Sequence, residues 1–300
     1  MNLLGFLWAA ALWGAAQGEA PKTPVFGLTL SGFVKTDILY DSRQTVNFRE
    51  GHYLLFPKGE MPDKDGGDLN AVPTFHLLSI QTRLLGRITG PDAFGAKTSG
   101  LIEGEFFGTS DGDLNGFRLR HALVKLNWAK TELLAGQFWH PMFATDSFPE
   151  VVSFNTGAPF QPFNRSPQIR LTRRLGDWSL SATLLSQRDF VSTGPDGSSS
   201  AYARNAARPE FNLKVQYVRT GPAESETVLG LAANQSTVRP RVSTAAGYKT
   251  DETLSSWAGM AYGKFKNRAV TAKAEAVYGG NLHHLTMLGG YAVERVTDVG

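Results

Sequence analysis

The sequence predicts an all-β fold, a transmembrane antiparallel β-barrel, and three observations carry that prediction. Residues 25–41 alternate: Phe26, Leu28, Leu30, Val34, Ile38 and Tyr40 share one parity, and Thr29, Ser31, Lys35, Asp37 and Asp41 the other. So long a strand exceeds the roughly 5–6 residues usual in globular sheets and suits a tilted strand that crosses a bilayer and projects beyond it. The pattern recurs in about twelve segments separated by turn chemistry. Beyond residue 20 no apolar run reaches the roughly 18 residues a membrane-spanning helix needs, which excludes a helical membrane protein.

The chain begins with an apolar run over residues 3–16, the length of a secretory h-region and too short to span a bilayer as a helix. Gly14, Ala15 and Ala16 are small, which places a cleavage site near residues 16–20. Residues 1–16 are therefore read as a signal peptide and 17–300 as one barrel domain. Trp8 and Trp13 lie in a run with no polar face, which opposes the alternative of a short buried helix. Cysteine is absent, so thiol catalysis and thiolate metal sites are excluded. The 32 glycines and 19 phenylalanines are a sheet-and-turn inventory with material for interfacial aromatic girdles. A net charge of +3 is too small to argue for nucleic acid.

The first strand is the alternating stretch over 25–41, predicted to run unbroken. In the second, 75–89, Leu78, Ile80, Leu84 and Ile88 share a face opposite Ser79, Gln81, Arg83 and Arg87. The third, 97–107, sets Ile102 and Phe106 outward and Ser99, Glu103 and Glu105 inward. In the fourth, 117–128, Arg118 and Arg120 fall on one parity and Lys125 and Asn127 on the other, which predicts a bulge near Ala122. Strands at 132–139, 168–175, 178–189, 210–219, 227–235, 254–265, 269–279 and 285–296 complete the set. The links 90–96, 129–130, 176–177 and 266–267 are short, whereas 42–73, 141–167, 190–209 and 236–253 are long. Short and long links alternate as in outer-membrane barrels, which makes the long ones surface loops.

Gly32-Phe33-Val34-Lys35-Thr36-Asp37, the stretch from Gly95 to Gly104, Phe117-Arg118-Leu119-Arg120-His121-Ala122 and Gly136-Gln137-Phe138-Trp139 resemble the DcaP-like outer-membrane porins, over most of residues 25–190. The resemblance implies a sixteen-stranded homotrimeric porin of a Gram-negative outer membrane, with a constricted pore that passes small, often anionic solutes. About twelve strands are visible against sixteen, and the chain ends in Thr297-Asp298-Val299-Gly300 where such barrels end on an aromatic residue. An incomplete gene product lacking its last strands is the expectation, beside a natural twelve-stranded barrel. An unclosed barrel would leave backbone groups unpaired in lipid.

For a pore, the polar parities are the wall. Lys35, Asp37, Arg83, Glu103, Glu105, Arg118, Arg120, Arg170 and Arg174 are the expected lining, and their arginine excess favours anions. The same charges could instead pair across strands and brace the wall, Arg83 with Glu103 or Glu105 among them. Between His140 and Arg165, Phe143, Phe148, Phe154, Phe160 and Phe163 alternate with Pro141, Pro149, Pro159 and Pro162. That stiff, apolar loop is expected to fold inward as a constriction, the alternative being packing on a neighbouring subunit.

No enzyme signature appears. Gly95-Ala96-Lys97-Thr98 lacks the Gly-Lys-Ser/Thr step of a phosphate loop and has no helix behind it. His283 and His284 are adjacent, so on a strand they would face opposite sides, and His121 and His140 have no partner in local spacing. The expectation is a diffusion porin without enzymatic activity, cofactor or metal, in contact with outer-membrane lipid and lipopolysaccharide. A barrel plugged by its own side chains and binding through its long loops is the alternative, with a barrel lipase and a fatty-acid transporter behind it.

Overall fold

The computed structural model describes residues 26–152 and 154–295, and the predicted leader over 1–16 lies outside the described residues. In chain order the elements are β1 (Gly27–Phe33), β2 (Asp37–Asp41), β3 (Thr45–Phe48), β4 (Tyr53–Pro57), β5 (Thr74–Leu78), β6 (Thr82–Thr89), β7 (Lys97–Phe106), β8 (Phe117–Asn127) and β9 (Thr131–Trp139). There follow β10 (Arg165–Leu175), β11 (Trp178–Leu185), β12 (Thr193–Gly194), β13 (Gly197–Ser198), helix α1 (Ala201–Asn205), β14 (Glu210–Thr220), β15 (Glu226–Val238), β16 (Leu254–Lys266) and β17 (Thr271–Gly279).

Eleven of these strands form one sheet in the order β1-β6-β7-β8-β9-β10-β11-β14-β15-β16-β17, antiparallel throughout. β1 and β17 are its edges, and among the described residues they do not pair with each other. All the short links, over 90–96, 128–130, 176–177, 221–225 and 267–270, lie at one end of the sheet. The long ones lie at the other end, as the alternation predicts.

The first strand is not continuous. β1 pairs with β6 with Phe33 opposite Arg83, but β2 pairs with β5 with Asp37 opposite Leu78, so the register slips by one across residues 34–36 and 79–82. Gln81 takes a positive φ of 69° there. A one-residue slip exchanges the faces of a strand. Leu78 and Ile80, expected to face outward with Leu84, are in fact buried on the opposite side, while Phe75 and Leu77 are exposed. The bulge predicted near Ala122 falls at Arg120: Glu103 pairs with His121 and Gly104 with Leu119, leaving Arg120 as the extra residue. Arg118, Arg120, His121 and Lys125 can thereby share one face.

Among the described residues, the strand expected over 285–296 is not formed. His283–Leu285 make a single 3-10 turn, Thr286 adopts a left-handed φ of 59°, and the described residues after it are irregular, with Gly289 and Gly290 among them. Two long links carry structure of their own. A hairpin of β3 and β4 rises from the link between β2 and β5, and β12, β13 and α1 lie between β11 and β14.

One face of the sheet is bare and apolar. Leu28, Leu30, Leu84, Ile102, Ile169, Leu171, Leu229, Leu231, Trp257 and Tyr278 are all exposed on it, and Ile38 and Tyr40 of β2 are exposed as well. The other face is covered by the link over 140–164, which crosses it. Asp146 accepts from Gln216 on β14, Ser147 donates to Glu275 on β17, and Lys273 on β17 donates to the carbonyl of Phe148. Asn155 donates to the carbonyl of Leu54 in the hairpin, and Phe154 packs on Tyr53 and Phe107. Laid flat, the strand spacing of ~4.8 Å would put β7 and β17 about 38 Å apart. A turn-rich link joins them, so the sheet curls around it.

Candidate functional site

Beneath that link lies a knot of ion pairs centred on Glu105, which has no solvent exposure. Arg83 and Glu105 are register partners on β6 and β7, and their side chains meet at 3.1 Å. Arg118 and Arg120 reach Glu105 from β8 at 2.8 and 2.7 Å, and Arg165 lies 3.8 Å away from the start of β10. Arg120 also donates to Glu103, and Arg165 and Arg118 meet Asp189 at 2.5 and 3.3 Å. Four guanidiniums thus share three carboxylates. They lie under aromatic rings: Arg118 is 4.7 Å from the Phe107 ring centre, Arg120 and Arg165 are 5.5 and 5.4 Å from Trp139, and Arg83 is 5.9 Å from Phe154. Planar guanidiniums suit this arrangement because they stack on a ring and fork onto a carboxylate together.

The expected lining residues divide into three groups. Arg83, Glu103, Glu105, Arg118 and Arg120 are drawn into the knot. Lys35 and Asp37 pair at 2.6 Å, and His52 joins Asp37 at 2.9 Å, beside the hairpin. Arg170 donates to the carbonyl of Trp139 at 2.7 Å and to Gln168 at 2.6 Å with no carboxylate in contact among the described residues, while Arg174 is half exposed and meets Glu132 at 3.2 Å. Of the loop phenylalanines, Phe143 and Phe163 are buried with Tyr53, Leu78, Ile80 and Phe107, and Phe148 and Phe154 pack against them. Phe160 is 75% exposed and stands apart.

Sequence reasoning missed Arg165 and Asp189. The strand is expected to begin at residue 168, yet β10 starts at Arg165 with Pro167 opposite Gln137. β11 ends at Leu185, four residues before Asp189, which turns back onto the knot. Also missed was Glu210, buried at the start of β14. His140 and His284 each place Nε2 3.0 Å from its Oε1. Among the described residues these three form the group whose metal-type donor atoms converge within 4.8 Å. Two imidazoles and a carboxylate are a zinc-type donor set. His140 Nδ1, however, accepts the N–H of Met142 at 3.1 Å, so its Nε2 carries the proton. A metal ligand needs that Nε2 lone pair and donates its other ring N–H outward. The donor chemistry fits a hydrogen-bonded cluster rather than a cation.

The structure superposes on the outer-membrane channel DcaP of Acinetobacter baumannii with a TM-score of 0.63 at 21% identity, over 85% of this chain and 64% of that one. Its fold matches that of an outer-membrane channel. The chain spans 64% of that channel's length. Looser similarity extends to an anion-selective porin from Comamonas acidovorans (TM-score 0.36, 14% identity, 84% of this chain and 78% of that one) and to a loop-deleted OmpT of Vibrio cholerae (0.40, 10%, 85% and 82%). No protein-family model and no curated protein matches the chain.

Proposed function

We propose that the chain forms the wall of an outer-membrane diffusion channel for small hydrophilic solutes, narrowed by the link over 140–164. The observation that carries this reading is the division of the sheet: bare apolar side chains on one face, and on the other a polar face crossed by an infolded loop. Lipid would meet the first and water the second. Within the pore the knot acts as a brace that holds β6, β7, β8 and β10 in register. Its surplus guanidinium and Arg170, which meets no carboxylate among the described residues, supply a positive potential that favours anions. A closed barrel of sixteen strands, a homotrimer and contact with lipopolysaccharide belong to the same proposal and rest on the resemblance to the DcaP-like porins.

A second reading is a plugged barrel that binds through its loops. It is favoured by the two apolar clusters buried against the covered face, one around Phe143 and Phe163 and one around Met142, Met260 and Leu285. Planar-bilayer recording decides between them. Stepwise conductance with an anion-favouring reversal potential, altered when residues 145–162 are deleted, supports the channel. A cation-favouring potential removes the anion preference, an unchanged conductance in the deletion removes the constriction, and a folded, silent protein supports the plug.

A further inference from the structure

Glu210 lies apart from the arginine knot, and its contacts reach both ends of the infolded loop. Besides the two histidines, Asn234 of β15 donates from Nδ2 to the same Oε1 at 2.6 Å. Glu210 and Asn234 are 5% exposed, His284 2% and His140 1%. His140 is the first residue of the loop, directly after β9, and His284 sits in the turn that follows β17. The other end of the loop is tied to that turn. Asn164 Nδ2 donates to the carbonyl of His284 at 2.7 Å, the Phe163 N–H donates to the carbonyl of Leu285 at 2.7 Å, and Thr286 Oγ1 donates to the carbonyl of Phe163 at 2.7 Å.

We infer that Glu210 is the positioning residue of the constriction: one carboxylate on the wall holds the start of the loop through His140 and its end through His284. What the position means for conduction rests on the channel reading, but the tether itself does not. The chemistry calls for an ionised carboxylate. Three N–H donors converge on one oxygen, and only an acceptor-only group takes all of them without presenting a donor of its own. The proton on His284 completes the tie. Burial opposes its charge, but Glu210 outweighs burial and holds the His284 pKa above its ordinary value. His140, the neighbouring His283 and the more distant Arg170 are the other titratable or charged groups acting on this cluster. Burial keeps His140 below its ordinary range, so His140 serves as a neutral donor. Loss of the His284 proton removes the charge from that hydrogen bond, so the tether weakens as pH rises through the raised His284 value.

The chain contains no cysteine, so Val152→Cys in the fully exposed part of the loop gives a unique site for a nitroxide label. Full-length labelled protein in phospholipid vesicles is compared in the wild-type, Glu210→Gln and His284→Asn backgrounds, with Asp92→Asn on the far turn as control. Circular dichroism reports whether the wall is folded. In the first two variants the mobile spectral component should rise about tenfold or more, because removing one partner leaves a buried charge uncompensated, and in the control it should not change. The wild type should gain the same component as pH is raised, and Glu210→Gln should not respond. Should Glu210→Gln fail to fold, His284→Asn, which lies outside the wall, carries the test. A folded wall with an immobile label in both variants, or a wild-type label indifferent to alkaline pH, overturns the inference. A responsive label in a protein that never conducts keeps the tether and overturns the channel, and the reverse result keeps the channel and overturns the tether.

Discussion

Replacing Glu105 with glutamine removes the one carboxylate that four guanidiniums share and leaves almost every atom in place. Glu105 has no exposed surface, and Arg83, Arg118 and Arg120 contact it at 2.7–3.1 Å with Arg165 at 3.8 Å. Glu103 and Asp189 then remain as the acids against four cations, of which Arg120 and Arg165 are 2% and 0% exposed. Breaking a buried pair by removing one partner costs about 3–5 kcal/mol, because the charge left behind has neither water nor a partner. At about 1.36 kcal/mol per tenfold, the folded-to-unfolded ratio should fall at least about a hundredfold. The assay is urea unfolding from lipid vesicles followed by tryptophan fluorescence, with Asp92→Asn as the internal comparison. The Lys97–Asp92 pair is just as short at 2.7 Å, but its side chains are 80% and 57% exposed, so its loss should cost about 1 kcal/mol or less. Adding Arg120→Met to Glu105→Gln should restore part of the loss, with a coupling of about 1–3 kcal/mol. If Glu105→Gln behaves like Asp92→Asn, the knot does not brace the wall and the reasoning fails.

Gly136 on β9 has a φ of 132°, and a Cβ there would lie 2.2 Å from the carbonyl oxygen of Ala122. Gly136→Ala should therefore cost about 2–3 kcal/mol or more in the same unfolding assay, whereas Gly176→Ala, at a φ of 62° with open space around it, should cost about 1–2 kcal/mol. On β15, Gly230→Ala would drive a methyl into the ring of Tyr262, with a calculated approach of 2.1 Å. It should cost about 1–3 kcal/mol and alter Tyr262 fluorescence. The pH dependence of stability should have two limbs. Burial lowers the His52 and His140 pKa values, so their contribution is present above about 6.5 and lost as pH falls towards the lowered values. His284 is raised, so its contribution is complete below about 6.5 and lost as pH rises through the folded value. His284→Asn should flatten the alkaline limb and leave the acid limb, as read from unfolding midpoints across the pH range.

The wall was legible in the sequence wherever parity alone decides it. Nine of the eleven strands of the large sheet begin and end within a few residues of the alternating segments, β1 and β6 being the shortened exceptions, and the parity clash between Arg120 and Lys125 located a bulge that the register displays. The same criterion failed where a slip leaves no clash to see. Residues 78–81 read as a continuous strand because Leu78 and Ile80 are as apolar as Leu84, and only the left-handed Gln81 reveals the exchange of faces. In the knot, Arg83 with Glu105 was readable because both lie on adjacent strands. Asp189 and Arg165 were not, since each sits where a strand meets a long link. The cluster at Glu210 was out of reach for a different reason. His140 is 70 residues before it and His284 is 74 after it, and no local spacing encodes such a meeting. Reading the adjacent His283 and His284 as strand residues also set them on opposite faces, whereas both lie in a 3-10 turn, with His284 buried.

The grouping of all the short turns at one end makes the two ends of the molecule unequal as places for change. At the short-turn end, any added residue must be absorbed by a register that already runs almost to the turn, as between Leu175 and Trp178. At the far end, the link between Val238 and Leu254 carries Gly247 at a φ of 88° with open space around it, and no strand of the large sheet depends on its length. Loop closure adds only about 0.6 kcal/mol for each doubling of length, so new sequence can be tried there at little cost to the wall. A foreign peptide spliced in at Gly247 is therefore the natural way to display cargo on this scaffold, and lineages carrying it should differ most from one another along that rim.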